Sequence, residues 1–181
     1  MRSIAIVAAA MLQLSGSAQG VEPKEGAYAM TRPEEMIVSR ELSPAQREEV
    51  LRPVEAFYAF WATGDEGLLA QAISPQFTDH TLPAGRPQGP SGPAAASKAF
   101  LTAVPDLSVR VVQRLVVEDR VVSHLRFTGH FTGSFAGKAG SGQPVDFIAT
   151  DIVRVQGGKI TDNWHLEDNL TFLQQIGVVP R

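Results

Sequence analysis

PVDFIATDIVRVQGGKITDNWHLEDNLTFLQQIG, the stretch Val145 to Gly177 with Pro144 leading, decides how the chain is read. Both of its arms alternate in polarity, which argues two half-buried strands. Gly157-Gly158 between them suits a two-residue hairpin turn that needs positive φ. The turn fixes a register. Gln156 lies opposite Lys159, Val155 opposite Ile160, Val153 opposite Asp162, Asp151 opposite Trp164, Ala149 opposite Leu166 and Phe147 opposite Asp168. Side-chain direction repeats every second residue, so the last five of these pairs share one face. The opposite phase of the second arm, Lys159, Thr161, Asn163, His165 and Glu167, is polar throughout and is assigned to water. The face with Phe147, Val155, Trp164 and Leu166 is therefore predicted to look inward, and it takes Asp151, Asp162 and Asp168 with it. A buried carboxylate is costly unless it is paired, protonated or beside a polar cavity. Asp162 lies near the turn, where solvent reaches it, which leaves Asp151 and Asp168 as candidates for chemistry. In this register they stand roughly 13 Å apart, too far to share one proton.

Outward from the hairpin, a Gly/Ser loop over 133–142 precedes it, and Leu170 to Ile176 reads as a short helix ended by Gly177. Two further strands are predicted at Leu107 to Val117 and Val121 to Thr132. In the second, Val121, Leu125, Phe127 and Phe131 share one face, with Val122, His124, Arg126, Thr128 and His130 on the other. Three helices come first. Ser43-Pro44-Ala45-Gln46 is a capping box with proline at the first helical position, and Val50, Leu51, Val54, Phe57, Tyr58 and Trp61 follow at helical spacing until Thr63-Gly64-Asp65. Leu68 to Ile73 and Ala94 to Val104 are the other two, the latter stopped by Pro105. Between them Phe77 to His80 is extended, and TLPAGRPQGPSGP, Thr81 to Pro93, is long and irregular enough to serve as a flap. Helices first and an antiparallel meander afterwards make an α+β class.

The chain has 181 residues, 44% of them hydrophobic, enough for one domain with a sizeable core. Residues 1–20 carry Arg2, an apolar run from Ile4 to Leu14 and then small residues, the pattern of a signal peptide cleaved after Ala18 or Gly20. Export to the periplasm or the extracellular space is expected from it, with no membrane attachment afterwards. Residues 21–42 read as a flexible arm and 43–181 as the domain. Cleavage removes one of 16 basic residues and none of 19 acidic ones, which leaves a net charge of −4. That disfavours nucleic acid, which asks for clustered Lys and Arg. Cysteine is absent, so disulfides, thiolate nucleophiles and cysteine metal sites are excluded as well. The four histidines lack any His-x-x-x-His spacing, and no metal site is expected.

From Asp79 to Gly177 the chain resembles the SnoaL-like polyketide cyclases, also called SnoaL-like ester cyclases, of the nuclear transport factor 2-like superfold. The resemblance is carried in order by Asp79-His80 with Gly85 and Gly89, then Pro105-Asp106-Leu107, then Gly129, Gly133, Phe135 and Gly137. It continues with Gly142 and Val145, Asp151-Ile152-x-Arg154, Gly158-Lys159-Ile160, Trp164-x-x-x-Asp168 and Gln174-Gln175-Ile176-Gly177. The implied fold is a cone-shaped α+β barrel, a curved antiparallel sheet packed against three N-terminal helices around an apolar cavity. The implied activity is a cofactor-free intramolecular aldol ring closure in which the aspartate after the tryptophan, Asp168, is the acid/base group. Burial in an apolar pocket raises a carboxyl pKa towards neutrality, which suits proton transfer. The family's histidine in its Gly-x-His-x-Gly segment aligns with Phe131, the asparagine after Asp-His with Thr81, and a histidine at the hairpin with Asp151.

The candidate catalytic residues are thus Asp168, His80 and Asp151, and the candidate ligand contacts are Trp164, Phe131, Phe147, Leu166 and Trp61. Asp168 equally suits the N-cap of the helix that follows it. Asp151 equally suits a bond from the Trp164 indole or an ion pair, and His80 a solvated loop. His130 and His165 point outward by phase. Three functions follow: an acid/base enzyme of the cyclase, isomerase or hydratase kind acting on a small hydrophobic carbonyl compound; a non-catalytic binder of such a molecule; or a homodimerising module using the outer face of the sheet.

Overall fold

A computed structural model describes residues 31–180; the expected leader, and the arm as far as residue 30, lie outside the described residues. Strand β1 (Glu35–Val38) comes first, inside the segment expected to be a flexible arm. It is ordered by pairing in parallel with a later strand, Met36 opposite Arg114, a long-range contact that no local pattern announces.

Helix α1 (Pro44–Thr63) starts and stops where its sequence signals place it. Ser43 accepts from the Gln46 amide at 3.3 Å while the Gln46 side chain accepts from the Ser43 amide at 3.0 Å, a reciprocal cap that contributes about 1 kcal/mol. Gly64 ends the helix at φ 73°, a left-handed conformation that costs glycine nothing. The short α2 (Glu66–Ala72) is capped by Asp65 and runs directly into strand β2 (Ile73–Asp79). Helix α3 (Ser91–Ala103) begins three residues earlier than the sequence suggests, and strands β3 (Ser108–Val117) and β4 (Arg120–Phe131) follow.

The Gly/Ser loop is folded into a small hairpin, β5 (Ser134–Phe135) and β6 (Lys138–Ala139). Gly133 brings its backbone so close to α3 that a Cβ would lie 1.8 Å from the Thr102 carbonyl oxygen. Strands β7 (Gln143–Gln156) and β8 (Lys159–Glu167) form the long hairpin, and helix α4 (Asn169–Gln175) closes the described chain. The hairpin turn has φ 56° at Gly157 and 68° at Gly158, the two positive values expected of it.

The six-stranded sheet runs β1-β3-β4-β7-β8-β2. Its four central strands are antiparallel, as expected; its two edges, β1 against β3 and β2 against β8, are parallel. The fold is the expected α+β cone, with the refinement that the curved sheet does not close into a barrel. Its inner face carries Val121, Leu125 and Phe127 of β4 and Val145, Phe147, Ala149, Val153 and Val155 of β7. Against these pack Phe57, Tyr58 and Phe60 of α1 and Phe172 and Ile176 of α4. Phe127 and Phe147 stack at 5.1 Å between centroids, and Phe100, Phe147 and Phe172 meet one another at 5.2–5.9 Å. Burial of each such ring contributes up to about 3 kcal/mol.

The predicted register holds only next to the turn. Val155 faces Ile160, but Arg154 then faces Asp162, Val153 faces Asn163, Ile152 faces Trp164, Asp151 faces His165 and Ala149 faces Glu167. Thr161 is the extra residue of a β-bulge, and beyond it every β8 side chain is turned to the face opposite the expected one.

Candidate active site

The bulge decides what lines the inner cavity. On β7 the predicted inward phase is observed, so Asp151 points inside and is 6% exposed. On β8 it is the polar phase, Asn163, His165 and Glu167, that looks inward beside it. Trp164 is displaced to the outer side, where it stacks on His80 at 4.3 Å with rings 6° from parallel and lies under the Arg120 guanidinium. Leu166 is turned out to 78% exposure. The aliphatic and aromatic wall comes from Phe57 and Trp61 of α1, Phe77 of β2, Phe100 of α3, Leu125 and Phe127 of β4, and Phe147 and Ala149 of β7. The cavity volume is about 30 Å³, room for a water or two. The wall must therefore part for a larger molecule to enter.

At the polar end, β2 delivers Asp79 to the hairpin. The parallel pairing of β2 with β8 sets Asp79 opposite Asn163, two residues from His165. His165 donates from Nε2 to Asp79 Oδ2 at 2.9 Å and from Nδ1 to Glu167 Oε1 at 2.8 Å. With both ring nitrogens donating to carboxylates, the imidazole is a cation. Burial pulls its pKa down, but the bonds and charges of Glu167 and Asp79 outweigh burial and raise it to about 9. Glu167 responds in kind: burial pushes its carboxyl up, and the bond and charge of His165 prevail and hold it below the usual range. Thr81 braces this cluster, giving its amide to Asp79 Oδ1 at 2.9 Å and accepting the His165 amide at 2.8 Å.

The loop expected to act as a flap is tied down here. Gln88 donates to the Asp79 carbonyl at 2.9 Å and accepts the Asp79 amide at 2.8 Å. Arg86 of the same loop reaches the cavity wall.

Asp151 faces the cluster from the sheet floor. Tyr58 donates its hydroxyl to Asp151 Oδ2 at 3.1 Å. Burial drives the Asp151 carboxyl up to about 7, against the attraction of the His165 cation. A carboxyl that titrates near neutrality inside an apolar wall can both take and return a proton. Asn163, 5% exposed, adds a side-chain oxygen with no hydrogen-bond partner among the described residues. Among those residues no group of three or more histidines and acids is arranged to hold a metal ion; both nitrogens of His165 are already bonded to carboxylates.

Of the residues singled out from sequence, Asp151, Phe147 and Trp61 line the cavity. Phe131 is buried in the core and is not part of the lining. Asp168 does not reach the cavity, because the bulge turns the end of β8 over. It caps α4, accepting the Thr171 amide at 3.0 Å and hydroxyl at 2.7 Å, and those bonds lower its pKa. Its neighbours are His124, Arg126, Asp146 and Ile148 in a shallow groove on the outer face. His80 is also outside, donating from Nε2 to Asp162 at 2.7 Å, and Asp162 is itself held by Thr161 and Arg154. His165, assigned to water by its phase, is instead the centre of the polar cluster. Asp79, Asn163 and Glu167 were missed with it, as were Tyr58 and Arg86.

A family model described as SnoaL-like polyketide cyclase matches residues 52–176. The chain belongs to the SnoaL-like polyketide cyclase family. This family member is 41% identical to a protein from Bacillus cereus ATCC 10987 that is provisionally called a polyketide cyclase. That match has a TM-score of 0.76 and covers 83% of this chain and 95% of the other. TsrD from Streptomyces laurentii is 26% identical, with a TM-score of 0.65 over 77% and 100% of the two chains. AclR from Streptomyces galilaeus, provisionally called a hydroxylase, is 23% identical, with a TM-score of 0.65 over 75% and 85%; at that identity the likeness bears on the fold alone. No curated protein matches the sequence.

Proposed function

We propose that this SnoaL-like protein is an acid/base enzyme acting on a small hydrophobic carbonyl compound, with Asp151 as the group that moves the proton. The observation that carries the reading is the Asp151 carboxyl, buried in an aromatic wall opposite a histidine cation, with its pKa pushed up to about 7 by burial. The Asp151 carboxylate takes a proton from the carbon next to a carbonyl; the C–H electrons form the enolate double bond, and the carbonyl oxygen takes the negative charge. The His165 cation lies within electrostatic reach of Asp151, its two N–H groups held by Asp79 and Glu167. Protonated Asp151 then returns its proton, to carbon in an isomerisation or to the alkoxide when the enolate carbon has attacked a second carbonyl in ring closure. The chemistry requires no group beyond the side chains named.

The test is exchange of α-hydrogens for deuterium, followed by NMR over a panel of small cyclic and aryl ketones in heavy water. The wild-type protein should catalyse exchange with a rate that rises through pH 7 as Asp151 ionises, and Asp151→Asn should lose it. Unchanged exchange in Asp151→Asn would refute the assignment. The aromatic lining of the cavity favours a second reading, a non-catalytic binder of a small hydrophobic molecule. That reading predicts ligand affinity that survives Asp151→Asn and no exchange at any pH.

A further inference from the structure

Proton removal beside a carbonyl loads negative charge onto the carbonyl oxygen, and that oxygen needs a hydrogen-bond donor inside the cavity. Most of the polar lining cannot provide one. Asp79 and Glu167 accept from His165, and both His165 N–H groups are committed to them. Of the donors left in the lining, Trp61 comes from α1 and Arg86 from the loop after β2, whereas Asn163 stands on β8, the strand paired with that of Asp151. Val153 faces Asn163 and Asp151 faces His165. Asn163 and Asp151 are therefore diagonal neighbours on the inner face, roughly 7 Å apart, close enough for one small molecule to touch both. The Asn163 backbone is fixed on both sides, opposite Val153 of β7 and Asp79 of β2, with its carbonyl accepting the His80 amide at 2.9 Å. Its side chain is 5% exposed and lines the cavity. Oδ1 has no hydrogen-bond partner among the described residues, and no hydrogen bond among them engages Nδ2. A buried amide left in this state is a net cost to the fold. Its position beside Asp151 is what gives it a use.

We propose that Asn163 is the catalytic donor that holds the substrate's carbonyl oxygen, its Nδ2–H bonded to that oxygen while Asp151 faces the carbon beside it. The proposal rests on the reading of Asp151 as the acid/base group. As the α-proton moves to Asp151, the C–H electron pair becomes the enolate double bond and a carbonyl pair moves onto oxygen. The Asn163 bond strengthens as that charge grows, because a hydrogen bond to an ionised acceptor is stronger than one to a neutral acceptor. The amide is itself neutral and does not titrate, so it supports the enolate without competing with Asp151 for the proton. The hydrocarbon part of the molecule is left to the aromatic wall.

Difference infrared spectroscopy of bound acetophenone and cyclohexanone, each labelled with carbon-13 at the carbonyl, reads this bond directly. On the wild-type protein the labelled band should lie at lower wavenumber than in hexane, as a hydrogen-bonded carbonyl does. In Asn163→Leu, which is close in shape, the bound band should return to the hexane position. The same variant should lower α-hydrogen exchange about 100-fold, the effect of removing one donor to an oxyanion. Its melting temperature should not fall, because an apolar group replaces an uncommitted amide. Asn163→Val, which suits a strand, should behave likewise and is the measurement of record where the leucine variant does not fold. Absence of a lowered band with both ketones overturns the proposal, as does a lowered band that survives in Asn163→Leu. A melting temperature several degrees lower in both variants assigns the amide to the fold and overturns it too. Exchange that persists in Asp151→Asn, with the band shift lost in Asn163→Leu, overturns the functional reading and leaves the hydrogen bond standing, so the two failures are told apart.

Discussion

His165 Nε2 donates to Asp79 Oδ2 across 2.9 Å, tying the final strand of the sheet to the parallel edge strand beside it, 86 residues earlier in the chain. Both side chains are almost wholly buried. A buried pair of this kind is most costly when one partner is taken away. His165→Gln should therefore lower stability by about 3 kcal/mol at pH 7, measured by urea unfolding, because it leaves Asp79 and Glu167 charged without their cation.

The same pair sets a pH dependence. The pKa of His165 is raised from 6.5 to about 9, so its contribution is fully present below pH 6.5 and is lost as pH rises through 9. Wild-type melting temperature should fall across pH 7–9.5, and the fall should be shallower in His165→Gln.

Asp151 works in the opposite sense to an ordinary surface acid. Its pKa is raised from 3.8 to about 7, so the stability tied to its protonated form is fully present below pH 3.8 and is lost as pH rises through 7. At pH 8 the fold bears a buried carboxylate. Asp151→Asn should then melt several degrees above the wild type at pH 8 and show a shrinking gain towards pH 4, while α-hydrogen exchange falls at least about 100-fold.

Asp168→Ala should leave exchange within about twofold of wild type and lower the melting temperature by a few degrees at most, as loss of a helix N-cap does. A fall in turnover as deep as that of Asp151→Asn would return the catalytic role to Asp168.

Deletion of Thr161 removes the bulge. Trp164 and Leu166 would then be turned to the inner face and His165 and Glu167 to solvent. The expected outcome is loss of the cavity and a collapse in soluble yield, read by expression and near-ultraviolet circular dichroism.

Most of the architecture was legible in the sequence because it is written locally. The Ser43 capping box, the stop at Gly64, the Gly157-Gly158 turn and the alternation in β4 and β7 each need only a few adjacent residues, and each is observed. The inward direction of Asp151 was legible for the same reason. The polar half of the site was not. Turn geometry fixes register only until something interrupts it, and Thr161-Asp162 carries no glycine or other residue that announces a bulge. Polar alternation over Asn163, His165 and Glu167 fits a wet outer face as well as a polar cavity, and only the arrival of Asp79 from β2 decides between them. The edge strand β1 was unreadable on similar grounds, because its four residues owe their conformation to β3.

The two rims of the sheet bear on how the protein behaves in a concentrated solution. One rim, β1, is only four residues long and includes a glutamate; the other, β2, carries Pro75, which has no amide proton to offer. Neither presents the long, regular run of unpaired donors and acceptors that lets folded molecules add to one another like tiles. A sheet left open in this way should be storable at high concentration without seeding fibrils.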